Sequence, residues 1–344
     1  MDPFHGIEGD YIETKNDNLI FDVKGLLHPN DRKICFIRFY PDQEGDRVRK
    51  GLHYKKIYNL NKRYFFLKEN FPKYLFYSKE LDLELQGVRN KNIKRIYSPK
   101  DYFKSLTKKE NLSTLEKYSK KLCEIFINEG NIPKDAIGIT GSPMVDLDKQ
   151  NSDIDLIIYG TKTSLAFQEN LKEILKKSNN CRKYKLEEFQ HHFNWRAGGS
   201  SLSFEDFMRS EKRKLHQGNF FNTNFFIRYI KSPEDWKGSF YDYKYKDCGR
   251  LKLTAEIIGS TDSIFTPCAY KINPIKILNS NPLFNKIDEI SLEEINSFRG
   301  RFCEHAVKGE KVLVEGKLEK VTFKDKEKYF RILLGDPVHD KMII

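Results

Sequence analysis

The 344-residue chain has six cysteines, Cys35, Cys123, Cys181, Cys248, Cys268 and Cys303, and no two of them form a CxxC pair. That absence excludes the usual zinc-finger and zinc-ribbon spacings, leaving only the isolated pair Cys303 and His305 near ligand distance. Single scattered cysteines fit a reducing compartment, so a cytoplasmic protein is expected. The opening MDPFHGIEGDYIE has no apolar core of a secretory signal. No run approaches the roughly 20 apolar residues of a membrane helix, so no membrane partner is expected. Internal repeats and low-complexity linkers are missing as well. Aromatic residues are not scarce: at 13% they exclude a disordered chain.

What is present is positive charge. Lys and Arg number 61 against 49 Asp and Glu, a formal net charge of +12 spread along the chain. Such a surface either attracts polyanions or simply keeps the protein in solution. The pattern of elements predicts an α+β (mixed) fold in three parts: an N-terminal mixed domain over 1–105, a mixed sheet with helices over 106–240, and a small β-rich domain over 241–344. The first part shows strand composition at 11–13, 19–23 and 33–40; 55–77 is rich in aromatics and Lys without a clean period. Ser113, with Glu116 three residues on, predicts a capped helix through Asn128. Strands are expected at 137–140, 153–159 and 223–231, with helices at 164–177 and 204–216. Beyond Pro233, a strand at 250–258 and a hairpin of 312–323 with 329–334 around KDKEK suggest a small barrel of the oligonucleotide-binding kind.

The chemistry-bearing stretch is IGITGSPMVDLDKQNSDIDLIIYG, residues 137–160. Gly141 lets the chain turn where a side chain would obstruct a phosphate. Ser142 offers a hydroxyl and an N–H at the beginning of a short helix or turn, which suits an anion. Asp153 and Asp155 alternate along a strand, so their carboxylates share a face. Two carboxylates beside a phosphate-binding turn suit Mg2+, or Mn2+, bridging to a triphosphate.

These residues resemble the signature of the polymerase-β nucleotidyltransferase superfamily: a Gly-Ser turn, a variable loop, then Asp-x-Asp on an apolar strand. The whole chain is also similar to a group of archaeal proteins described as predicted nucleotidyltransferases, through GDYIETKNDNLIFDVKGLLHP near the start and FRGRFCEHAVKGEKVLVEGKLE near the end. The resemblance implies a nucleotidyltransferase-type mixed sheet and transfer of a nucleotidyl group from a nucleoside triphosphate to a hydroxyl, with RNA or DNA as one acceptor class. It further implies that Asp153 and Asp155 bind the metal and that Gly141 and Ser142 hold phosphates.

The sequence departs from that pattern at one point. A third carboxylate is expected on a later strand, yet TNFFIRYIK carries Arg228 instead. Glu256, in LKLTAEII, is the substitute the sequence offers; an outward-facing strand residue is its plainer reading. Arg228 can instead clasp phosphate oxygens or form a surface ion pair. With the third acid unassigned, an inactive nucleotide- or nucleic-acid-binding module of the same fold is the alternative. DLDKQNSDIDL has the look of a calcium loop but places Asn151 where such a loop needs Gly. His191 and His192, being adjacent, do not share a helix face and make a poor metal pair. The basic stretch over residues 211–216 would line a nucleic-acid groove or form a solvated helix face. Aromatics between Tyr40 and Tyr77 are either base-stacking groups or core.

Overall fold

A computed structural model describes residues 5–178, 180–196, 202–279 and 291–344. The fold is mixed α+β, as expected, and the chain divides into two compact units. The first comprises residues 1–78, 83–182 and 218–240; the second comprises 79–82, 183–217 and 241–344. The expected boundary near residue 105 lies inside the first unit.

The first unit begins with β1 (Tyr11–Thr14), β2 (Ile20–Val23), β3 (Arg32–Pro41), β4 (Arg47–Arg49), β5 (Leu52–Lys56), β6 (Leu75–Ser78), β7 (Leu83–Arg89) and β8 (Ile93–Tyr97). These pair in the order β4-β5-β3-β2-β1-β8, with β7 joined to both β3 and β6. Helix α1 (Leu60–Asn70), capped by the Asn59 side chain, occupies part of the stretch whose period was unclear in sequence. One sheet face buries Ile12, Phe21, Val23, Cys35 and Ile37 with Leu67 of α1. The other face places Tyr11, Ile20, Phe39, Tyr54 and Tyr97 against Met144, Val145 and Leu147. Of the aromatics between Tyr40 and Tyr77, Tyr54 and Tyr74 are core, Tyr40, Phe66 and Phe71 pack half-buried against it, and Tyr58, Phe65 and Tyr77 stay exposed.

Next come α2 (Pro99–Leu106), α3 (Thr114–Asn128), β9 (Ile137–Thr140), β10 (Ile154–Tyr159), α4 (Thr161–Lys177), β11 (Cys181–Arg182), β12 (Gln217–Phe220) and β13 (Thr223–Ile230). The Ser113–Glu116 capping box forms in full. The second sheet runs β11-β12-β13-β10-β9, with β10 antiparallel to β9 and parallel to β13. Apolar side chains of β10 alternate between two partners, as the period of a strand dictates. Behind the sheet, the rings of Phe126 of α3 and Phe167 of α4 pack tilted against each other, Phe126 edge-on to Phe225 and Phe167 tilted to Tyr229 of β13. In front, Ile157, Tyr159 and Ile230 meet Ile7 of the N-terminal segment. Gly9, at φ 97°, permits that approach: a β-carbon there would lie 2.7 Å from Ile157 Cδ1.

The second unit holds α5 (Leu186–Arg196), α6 (Phe204–Glu211) and β14 (Tyr243–Gly259), β15 (Cys268–Ile277), β16 (Leu292–Ser297), β17 (Lys311–Phe323), β18 (Glu327–Leu333) and β19 (Lys341–Ile343). Its sheet follows β14-β15-β16-β18-β17-β19, and an additional β14–β17 pairing closes the first five of these strands into a barrel. The β17–β18 hairpin turns at the charged residues expected from sequence. Leu251, Leu253, Ile257, Leu318, Phe330 and Ile332 fill the interior. No helix among the described residues is long and apolar enough to cross a membrane.

Candidate functional site

Four of the six residues singled out from sequence come together at one end of the β9–β10–β13 sheet. Thr140 stands opposite Asp155 in the β9–β10 register. Gly141, the next residue, has φ 88°, and a β-carbon on it would lie 2.7 Å from Asp155 Oδ2. Glycine is thus required twice over, by its backbone conformation and by the carboxylate beside it. Asp153 is exposed and immediately precedes β10, whose first residue is Ile154. Both aspartates act electrostatically on Lys56 of β5.

Ser142 is buried, with its hydroxyl 3.4 Å from that of Ser152. Its carbonyl accepts from the N–H groups of Val145 (3.2 Å) and Leu147 (3.0 Å). The turn after it is a single 3-10 turn, Pro143–Val145. Proline at its first position has no N–H, so Ser142 sits at a tight turn rather than at the head of a helix.

Arg228, on β13, donates to Glu8 Oε1 at 3.1 Å. Glu8 also accepts from Lys24 Nζ (2.9 Å) and, through Oε2, from the Gly25 N–H (2.9 Å). The ion pair is largely enclosed, which answers the surface-pair reading of Arg228. Glu256 lies elsewhere: it belongs to the second unit, on β14 between Asn273 of β15 and Lys311 of β17.

The N-terminal sheet adds residues that sequence reasoning did not assign. Tyr11 and Asp22 stand opposite each other on β1 and β2. Asp22 Oδ2 lies 3.0 Å from Lys24 Nζ. Arg38, on β3, acts electrostatically on Tyr11 and Asp22. Asp22 Oδ1 and Arg38 Nε are buried without a hydrogen-bond partner. The only signal in sequence was charge inside otherwise apolar strands, IFDV and RKICFIRFYP.

The electrostatics of this cluster are dense. Burial pushes the Asp155 carboxyl above its ordinary range; Arg228, Lys56 and Arg38 pull it back, while Asp22 works with burial. Burial also works upward on Asp22, but Lys24, Arg228 and Arg38 outweigh it and hold this carboxylate below the usual range. Lys56 is brought down to about 8 by burial and by Arg38 and Arg47, against the opposing pull of Asp155 and Asp153. Arg228 stays firmly protonated: burial disfavours its charge, but Glu8, Asp22 and Asp155 more than compensate. Tyr11 is pushed up to about 12, first by burial and then by Asp22. The site is therefore a set of carboxylates, Asp22, Asp153 and Asp155, interleaved with the cations Arg38, Lys56 and Arg228.

Among the described residues, no group of three or more His, Cys, Asp or Glu is arranged to hold a metal. His192 packs on the Tyr184 ring at 4.3 Å. Cys303 donates to the Phe265 carbonyl, and His305, its titration lowered to about 3 by burial, faces the Met342 carbonyl at 2.7 Å. The expected basic helix ends at Glu211, and the chain beyond it turns inward. Lys214 is fully buried against Glu211, and His216 Nδ1 lies 2.9 Å from Glu304 Oε1, so these two do not face solvent, while Lys212 of the same stretch is exposed.

The chain is similar to an uncharacterized protein of Methanocaldococcus jannaschii, MJ1086, at 29% identity over 335 residues, covering 95% of this chain and 94% of that one. No protein-family profile matches the chain. No solved structure matches it either.

Proposed function

We propose that the first unit is a metal-dependent nucleotidyltransferase, in which a hydroxyl acceptor attacks the α-phosphorus of a nucleoside triphosphate and pyrophosphate leaves. The observation that carries this reading is the fit of Gly141 against Asp155, with Asp153 immediately before the same strand. Oxygen donors of this kind suit a hard cation such as Mg2+, which typically takes one or two protein carboxylates and completes its shell with substrate phosphates and water. Asp153 and Asp155 would hold it, and it would neutralise charge developing on the phosphate oxygens.

The chain's own residues account for the rest. Arg38, Lys56 and Arg228 supply positive charge for a triphosphate beside the two aspartates. Asp22 is the carboxylate nearest in role to the acid that β13 lacks. Its unpartnered Oδ1 gives it an acceptor position for the proton of an attacking hydroxyl. Nucleic acid is the acceptor class favoured by the net charge of +12.

A second reading has its own support: on β13, where a third acid was expected, Arg228 stands opposite Ile157, two residues beyond Asp155, and feels the Asp155 charge. A cation there favours nucleotide binding without transfer. Incubation with α-labelled nucleoside triphosphates, Mg2+ and RNA, DNA or protein acceptors separates the two. Transfer should fall to background in Asp153→Ala with Asp155→Ala. Equal transfer by that variant sinks the assignment of Asp153 and Asp155 as the active site, while Mg2+-dependent nucleotide binding with no transfer by the wild type supports the binding module.

A further inference from the structure

On the second unit, the ends of β14, β17 and β18 carry two different faces. Their registers set Lys246 opposite Lys320, and Lys320 opposite Phe330. One row further along, Lys244 is opposite Thr322, and Thr322 opposite Lys328. Residues two apart on a strand share a face, so Lys244, Lys246, Lys320 and Lys328 stand together. Phe330 belongs to the barrel interior, so this lysine face continues the inner surface of the barrel past the end of its core.

The opposite face is neutralised within the sheet. Lys317 lies 3.0 Å from Glu319 and 3.4 Å from Asp247, and Arg331 lies 2.8 Å from Glu319. The lysine face has no acidic residue at any of these positions. Only Lys244 finds a carboxylate, Asp325 of the hairpin turn at 2.6 Å. Lys246, Lys320 and Lys328 have none among the described residues, and Lys246 and Lys328 are exposed. Side chains directly opposite across strands have β-carbons about 5 Å apart, and like charges so placed destabilise a sheet. The Lys246–Lys320 pair thus works against folding, and a polyanion laid over it would relieve that repulsion.

We infer that this lysine face is a binding surface for the phosphate backbone of single-stranded nucleic acid. The rows lie about 7 Å apart along the strands, a spacing on the scale of successive phosphates in an extended strand. The face offers no large exposed apolar group to insert into a lipid surface: between the lysines are Thr322 and the fully buried Phe330. The inference stands on charge and register in the second unit and does not depend on transfer at Asp153 and Asp155.

Fluorescence anisotropy of the full chain with a labelled single-stranded RNA of about 20 nucleotides tests it. Replacing all three unpaired lysines, Lys246→Gln with Lys320→Gln and Lys328→Gln, should weaken binding about tenfold or more. It should also reduce the log–log salt slope by roughly 2, at ~0.7 per lost phosphate contact. A matched control, Lys162→Gln with Lys172→Gln and Lys177→Gln on α4, removes the same charge from exposed positions of the first unit and should leave both quantities unchanged. Because the triple variant relieves repulsion, its melting temperature should equal or exceed that of the wild type, which excludes misfolding as the cause. The Asp153→Ala with Asp155→Ala variant should bind RNA as the wild type does. Wild-type affinity and slope in the triple variant overturn the inference. So does an equal loss in the control, or a wild type that binds polyglutamate or phosphatidylserine vesicles but not RNA.

Discussion

Gly141 and Asp155 are packed so closely that a single added carbon on the glycine would come within 2.7 Å of the carboxylate oxygen. The strand pairing that sets Thr140 opposite Asp155 fixes this approach, and the left-handed backbone at Gly141 turns the chain away immediately afterward. Gly141→Ala meets both obstacles. A non-glycine residue forced into this conformation costs roughly 1–3 kcal/mol, and Asp155 must also swing aside. Urea unfolding should show a loss in that range. Calorimetry should show nucleotide affinity down by about tenfold or more, as expected when a charged group is displaced from its partner. Wild-type stability and affinity in Gly141→Ala would show the contact to be dispensable.

The sequence revealed one half of this site and concealed the other for a physical reason. Gly141, Ser142, Asp153 and Asp155 lie within fifteen residues of one another, so strand alternation and turn chemistry were enough to group them. Asp22, Arg38 and Lys56 reach the same place only because the N-terminal sheet packs Tyr11, Ile20 and Phe39 against Met144, Val145 and Leu147. Contacts between residues about one hundred positions apart leave no periodic trace in a single sequence. The helices α3 and α4 were legible because their apolar repeats and the Ser113 cap are local. The extent of α6 was misjudged because Lys214 and His216 read as surface charge. Their burial depends on Glu211 and, 88 residues away from His216, on Glu304.

Asp22 offers a direct test of the composite site. In the proposed reaction it accepts a proton from the attacking hydroxyl, so Asp22→Asn should lower the transfer rate by about 100-fold or more, a typical loss for a general base. Nucleotide affinity should hold or rise, since a negative charge is removed from the triphosphate's surroundings. Single-turnover transfer alongside equilibrium nucleotide binding reads the two separately. A rate within a few-fold of the wild type would assign Asp22 a purely structural part in holding Lys24 and Arg38.

Lys56 predicts a pH dependence. Its titration lies near 8 in the folded protein, below the ordinary lysine value of 10.5, through burial and the neighbouring Arg38 and Arg47, with Asp153 and Asp155 opposing. Below about 8 the lysine is charged in both folded and unfolded chains, and the folded state bears the full penalty. As pH rises from 8 toward 10.5 the unfolded chain binds more protons, so this penalty is relieved and stability increases. Phosphate binding runs the other way, because it needs the charged form. Tripolyphosphate affinity should therefore fall as pH rises through about 8, and Lys56→Met should flatten both trends. A pH-independent affinity in the wild type between about 7 and 9.5, measured by calorimetry, would count against Lys56 as a phosphate contact.

A buried ion pair lies within the second unit. Lys214 is fully buried, its ammonium held by Glu211 and by the Arg301 carbonyl at 2.5 Å, and Gln217 donates to the other oxygen of Glu211 at 2.5 Å. Removing one member of a buried ion pair leaves the other charged and unsolvated, at about 3–5 kcal/mol. Glu211→Gln strands the ammonium, and Lys214→Met strands the carboxylate, so each alone should lower the melting temperature markedly. The double variant Glu211→Leu with Lys214→Met removes both charges and should recover most of the loss, as buried pairs replaced by apolar groups often do. Gln217 then loses its acceptor, which leaves a residual cost of roughly 1–3 kcal/mol. Thermal melts of the three variants decide the matter: if the double variant is as unstable as the sum of the two singles, the pair contributes by packing and not by mutual neutralisation.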